Sequence, residues 1–69
     1  MEQIKLRDEY IKLGQALKAV GMVDSGVDAK FLILNEKVKV NGAICTQRGK
    51  KLYDGDMVEF DKEIIKIVK

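Results

Sequence analysis

A chain of 69 residues has room for one small hydrophobic core and no second domain, so residues 1–69 are read as a single unit. With no histidine and one cysteine, the composition excludes an internal disulfide, a Cys/His zinc site and histidine-based acid–base catalysis. The net charge of +2 is unevenly spread: residues 1–29 sum to −1, residues 30–51 to +5 and residues 52–69 to −2, the footprint expected for a polyanionic partner.

Ile4 and Leu6 alternate with polar neighbours and predict a short strand over residues 2–6, with Arg7–Ile11 as a connection. Leu13, Ala16, Leu17 and Val20 recur at helical spacing and predict an amphipathic helix over about 13–20, stopped by Gly21. Lys12, Gln15 and Lys18 lie on its opposite arc, either as a solvated face or as a surface for the partner. Ser25-Gly26-Val27-Asp28 has the form of a capping box and starts a second helix, at about 26–35, with Ala29, Leu32 and Ile33 as its core stripe. Val27, Phe31 and Leu34 fall on roughly the other side of that helix. Large aromatics are usually well buried, so the expectation is that Phe31 packs against a loop or the first helix. The competing reading makes Phe31 a stacking platform for an unpaired base, or a protein contact.

Lys37–Val40 alternates with period two, and Asn41-Gly42 follows directly. That dipeptide predicts a type I′ hairpin pairing Val40 with Ala43, Lys39 with Ile44 and Val38 with Cys45. Cys45 then shares the valine face and is read as a buried structural thiol. Arg48-Gly49-Lys50-Lys51 is a basic loop or short strand, and Asp54-Gly55-Asp56 a turn. Met57–Phe60 follows as a strand with Val58 and Phe60 inward. After a turn at Asp61–Glu63, Ile64–Val68 is the last strand, pairing with the first strand or with residues 57–60.

Read in one line, residues 25–42 run SGVDAKFLILNEKVKVNG. Ser25, Ala29, Leu32, Ile33, Val38, Val40, Asn41, Gly42, Gly55 and Asp56 resemble, in order and spacing, the RNA-binding domain named after small-subunit ribosomal protein S-four, also called the alpha-L motif. Lys12, Leu13 and Leu17 resemble that family's helix opening, so the likeness runs over about residues 12–60. Three positions depart from the pattern: Gly26 stands where the family has Arg, Gly14 where it has Asp, and Glu36 where it has Gly. Leu13-Gly-Gln-x-Leu-Lys together with Arg48-Gly-Lys-Lys-Leu-Tyr-Asp-Gly-Asp looks closest to the small stand-alone bacterial members, the YaaA-like branch. The resemblance implies an α+β fold, two N-terminal helices packed on a small, mostly antiparallel sheet. It also implies binding of structured RNA, ribosomal or transfer, without catalysis, in ribosome assembly or translation.

The residues point the same way on physical grounds. Lys30, Lys37, Lys39, Arg48, Lys50 and Lys51 can neutralise several phosphates and release counterions. Arg48 offers a planar fork suited to a bidentate phosphate contact. The N-terminus of the second helix, at Ser25–Val27, would present backbone N–H groups to a phosphate. The candidate RNA-binding set is therefore Lys12, Gln15, Lys18, Ser25, Gly26, Lys30, Lys37, Lys39, Asn41, Arg48, Lys50 and Lys51, with Phe31 as a stacking candidate. The competing function is a protein–protein adaptor, on the ribosome or in a replication complex, using the Val27/Phe31/Leu34 patch. No nucleophile–base pair or phosphate-cradling glycine loop is present in the sequence, so no catalytic residue, metal or cofactor is expected. Asp54 and Asp56 read as turn residues rather than an acid–base pair. A lone cysteine and an opening MEQIKLRDEY without an apolar run lead to the expectation of a cytoplasmic protein. No stretch reaches the roughly 18 apolar residues of a membrane helix.

Overall fold

The computed structural model describes residues 2–21, 23 and 26–69. In chain order the elements are β1 (Glu2–Lys5), β2 (Ile11–Lys12), α1 (Leu13–Ala19), α2 (Gly26–Leu34), β3 (Val38–Val40), β4 (Ala43–Ile44), β5 (Lys51–Leu52), β6 (Met57–Phe60) and β7 (Glu63–Val68). Five strands form one sheet in the order β1-β7-β6-β3-β4, and β2 pairs with β5 in a separate ribbon. Only the β1–β7 pair is parallel; the other pairs are antiparallel. This is the expected α+β arrangement. The last strand satisfies both of its expected pairings, lying between β1 and β6.

Register follows from which side chains must leave water. Val38, Val40, Val58, Ile65 and Ile67 lie on one face of the sheet and are buried. Leu13, Ala16 and Leu17 of α1 and Ala29 and Ile33 of α2 close over them. A fully buried aliphatic side chain contributes about 1.5–3 kcal/mol, so this two-layer contact is the main stabilising element of so small a chain. On the opposite face, Lys39 stands beside Ile44 on one side and Glu59 on the other, and Glu59 beside Ile64.

The hairpin forms as expected: Asn41 and Gly42 take φ of 53° and 86°, both left-handed as a type I′ turn requires. Lys39 pairs with Ile44 and Val40 with Ala43, and the Cys45 N–H donates to the Val38 carbonyl at 3.0 Å. Cys45 itself is half-buried rather than buried, packed at the margin of the core. Strand β4 lies at the sheet edge and ends at Ile44, just before the cysteine.

Two further expectations change. The connection after the first strand is not all loop: Ile11 pairs with Leu52 and Lys12 with Lys51. Phe31 is not packed against a loop or the first helix. It is 70% exposed, flanked by Val27 at 73% and Leu34 at 57%. The buried stripe of α2 holds Ala29 and Ile33, with Leu32 partly buried, and a helix seated on a single layer has no second surface to receive its other side. Ser25, the expected cap of α2, lies outside the described residues.

Candidate nucleic-acid interface

The basic segment 46–50 is held against α1 by the backbone. The Leu13 N–H donates to the Lys50 carbonyl at 2.9 Å, and the Gly14 N–H to the Arg48 carbonyl at 3.1 Å. A helix start leaves its first N–H groups without intrahelical partners, and here the segment supplies the acceptors that a capping side chain would otherwise provide. Gln15 adds a local contact, its Oε1 accepting the Lys12 N–H at 3.3 Å. The stem of Arg48 then crosses α1 at Gly14, where an added Cβ would meet Arg48 Cγ at 2.7 Å. That approach explains the glycine at position 14: any side chain there would push the arginine aside.

The outcome is a shallow groove of about 340 Å³ lined by Lys12, Gly14, Gln15, Lys18, Arg48 and Gly49. Gln15 and Lys18 of α1, with Lys12 just ahead of it, therefore share one depression with Arg48. Lys51 adjoins it, directly opposite Lys12 in the β2–β5 ribbon. Like charges at facing positions of an antiparallel pair are destabilising, so this juxtaposition weakens the fold locally and concentrates positive potential beside the groove. Arg48, with its flat fork, is the group placed to grip a phosphate in two directions.

The remaining candidates are dispersed. Lys50 borders a second depression, of about 330 Å³, together with Asn41, Cys45 and Gln47. Asn41 is committed to the fold: its Nδ2 donates to Asp56 Oδ1 at 3.0 Å, and its Oδ1 accepts the Met57 N–H at 2.9 Å. Lys39 projects from the outer sheet face beside Glu59, whose carboxylate lowers the potential there. Lys30 and Lys37 are exposed on α2 and just before β3. Gly26 begins α2, and Ser25 lies outside the described residues.

Asp56 acts as a turn acceptor, whereas the contact of Asp54 is to the distant Lys69 rather than to the turn. Asp56 Oδ2 takes the Tyr53 N–H at 2.7 Å, and Asp54 Oδ1 takes the Lys69 N–H at 3.0 Å. Among the described residues no three His, Cys, Asp or Glu side chains gather where they could hold a metal ion, and no polar or charged side chain is buried. The site is a charged surface rather than an enclosed pocket.

Sequence reasoning missed the Lys12–Lys51 pair and the two tyrosines beside it. Lys51 Nζ lies 4.9 Å from the centroid of the Tyr10 ring, and the Tyr10 and Tyr53 centroids are 6.0 Å apart. Strands of two residues carry no readable alternation. The available signal was the β-favouring pair Tyr10-Ile11 directly ahead of the helix.

The family called S4 domain matches residues 4–68. The chain belongs to the S4 domain family. Among curated S4-like relatives, the Bacillus subtilis (strain 168) protein named "Probable ribosome maturation protein RlbA" is 41% identical over 58 residues, covering 84% of this chain and 82% of the relative. The Escherichia coli (strain K12) protein named "Putative RNA-binding protein YbcJ" is 34% identical over 59 residues, covering 86% of this chain and 84% of the relative. Among solved S4-like structures, the solution structure of YbcJ from E. coli superposes with a TM-score of 0.76 at 31% identity, covering all of this chain and 89% of that one. That structure is described as revealing an alpha-L motif involved in RNA-binding. This chain is accordingly an RNA-binding S4 domain of the alpha-L type, and the match extends the likeness seen over residues 12–60 to nearly the whole sequence.

Proposed function

We propose that this protein is a non-catalytic module that holds structured RNA, ribosomal or transfer, in the cytoplasm, and that it serves ribosome assembly or translation. The observation that carries the reading is the convergence of Lys12, Lys18 and Arg48 on one groove, with Lys51 facing Lys12 beside it. Those charges gain nothing from one another and gain a great deal from a phosphate backbone. The name of the B. subtilis relative, a ribosome maturation protein, supports the ribosomal side of the proposal.

The test is a filter-binding titration against ribosomal and transfer RNA over a range of salt. Changing Arg48, Lys50 and Lys51 together to alanine weakens binding and flattens the salt slope by about two to three, at roughly 0.7–0.9 per phosphate contact. Unchanged affinity and slope would reduce these residues to a solubilising role. Sequencing of RNA crosslinked to the protein in cells then names the ligand.

A second reading rests on the exposure of Val27, Phe31 and Leu34. Three apolar side chains at i, i+4 and i+7 match the anchors of a helix laid in a partner's groove, and an adaptor role would use them. Such a complex would be insensitive to salt, unlike one held by phosphates.

A further inference from the structure

We infer that Tyr10 and Tyr53, with Lys51, form a stacking subsite for an unpaired nucleobase at the end of the basic groove. The inference rests on the RNA-binding reading and adds to it a ligand class, single-stranded RNA, at two tyrosines that lie outside the phosphate-binding cluster and adjoin its Lys51.

Tyr10 precedes β2 and Tyr53 follows β5, so the two-stranded ribbon carries both rings. Their planes are tilted by 49°, which prevents one base from lying flat on both. Lys51 lies against the Tyr10 ring, leaving Tyr53, the more exposed of the two at 47%, as the platform. Its backbone is fixed by the N–H bond to Asp56, so the ring is offered from an ordered turn. Every base has a π-face, so such a platform accepts any unpaired nucleotide.

The position joins the groove. Gln15 lines both the Arg48 groove and a neighbouring depression of about 450 Å³ that includes Arg7 and Tyr10. A strand whose phosphates follow Arg48, Lys12 and Lys51 therefore arrives at the tyrosines with a base to place. Tyr53 also lines a shallow hollow together with Glu9, Asp54 and Lys69.

The chain has two tyrosines and no tryptophan, so its intrinsic emission reports on this subsite. In a Tyr10→Phe variant the signal belongs to Tyr53 alone. Titration with a short oligoadenylate is expected to quench it, whereas a blunt RNA duplex leaves it largely unchanged. Tyr53→Leu is expected to weaken oligoadenylate binding about tenfold, within the range for loss of one stacked base, with duplex affinity unchanged. Tyr53→Phe keeps the ring and keeps the affinity, which separates stacking from the hydroxyl, and melting curves of both variants check the fold. Salt-sensitive RNA binding without quenching, or with equal affinity in Tyr53→Leu, overturns the subsite and leaves the RNA-binding reading standing. Absence of salt-sensitive binding to either RNA overturns both.

Discussion

The two helices are built from similar material and meet solvent with opposite chemistry. Helix α1 buries Leu13, Ala16 and Leu17 and turns Gln15 and Lys18 outward, beside Lys12 at the end of β2; α2 buries Ala29 and Ile33 and turns Val27, Phe31 and Leu34 outward. Their ends differ as well. α1 is followed by Gly21 at φ 77°, α2 by Glu36 at φ 60°. Around Glu36, its N–H donates to the Ile33 carbonyl and the Lys37 N–H to the Leu32 carbonyl, the bond pair of a Schellman cap, whose left-handed residue is usually glycine. One helix is thus finished for stability and charged for a polyanion. The other carries backbone strain at its end and an apolar side that the other described residues leave uncovered. Burial of one stripe is enough to hold a helix; what the other side displays is free to serve contacts outside the chain.

The largest expected effect separates the inner and outer faces. Leu17→Ala should cost about 2–5 kcal/mol, since the side chain is fully buried, and lower the melting temperature by roughly 10 °C or more. Phe31→Ala should change stability by less than about 0.5 kcal/mol, as for an exposed position. A comparable loss from both in thermal melts would mean that the outer side of α2 is packed after all and would erase the contrast.

A smaller effect tests the helix ends. Glu36→Gly should raise stability by about 1 kcal/mol, because a left-handed residue with a Cβ costs roughly 1–2 kcal/mol and glycine's freedom in the unfolded chain returns part of that. Denaturant titration measures it through the midpoint. No gain would show that the Glu36 side chain makes up for its conformation.

The smallest effect concerns the charged face. Lys12→Gln removes the like-charge pairing with Lys51 and should stabilise the fold by about 0.2–1 kcal/mol, while lowering RNA affinity and the salt slope by about one. Opposite signs in melting and filter binding would mark Lys12 as placed for the ligand at the fold's expense. Loss of both would make it a structural residue of the ribbon.

The sequence by itself determined what local periodicity and turn chemistry can carry. Leu13/Ala16/Leu17 announced α1 and Asn41-Gly42 announced the hairpin and its pairing, because each of these signals lies within a few residues; the ordered set from Ser25 to Gly42, with Gly55 and Asp56, announced the family. It also located the positive charge near residues 30–51. It did not determine which of those charges meet. Lys12 and Arg48 are far apart in the chain and come together only because segment 46–50 supplies carbonyls to the start of α1. Nor did the sequence show that Asn41 reaches across the fold to the distant Asp56 and Met57 through the two ends of its amide. The exposure of Phe31 was equally out of reach, since hydrophobicity records that a side chain gains by burial and not whether a second layer exists to bury it. Only the tertiary structure, in which none of the described residues covers the outer side of α2, decided that.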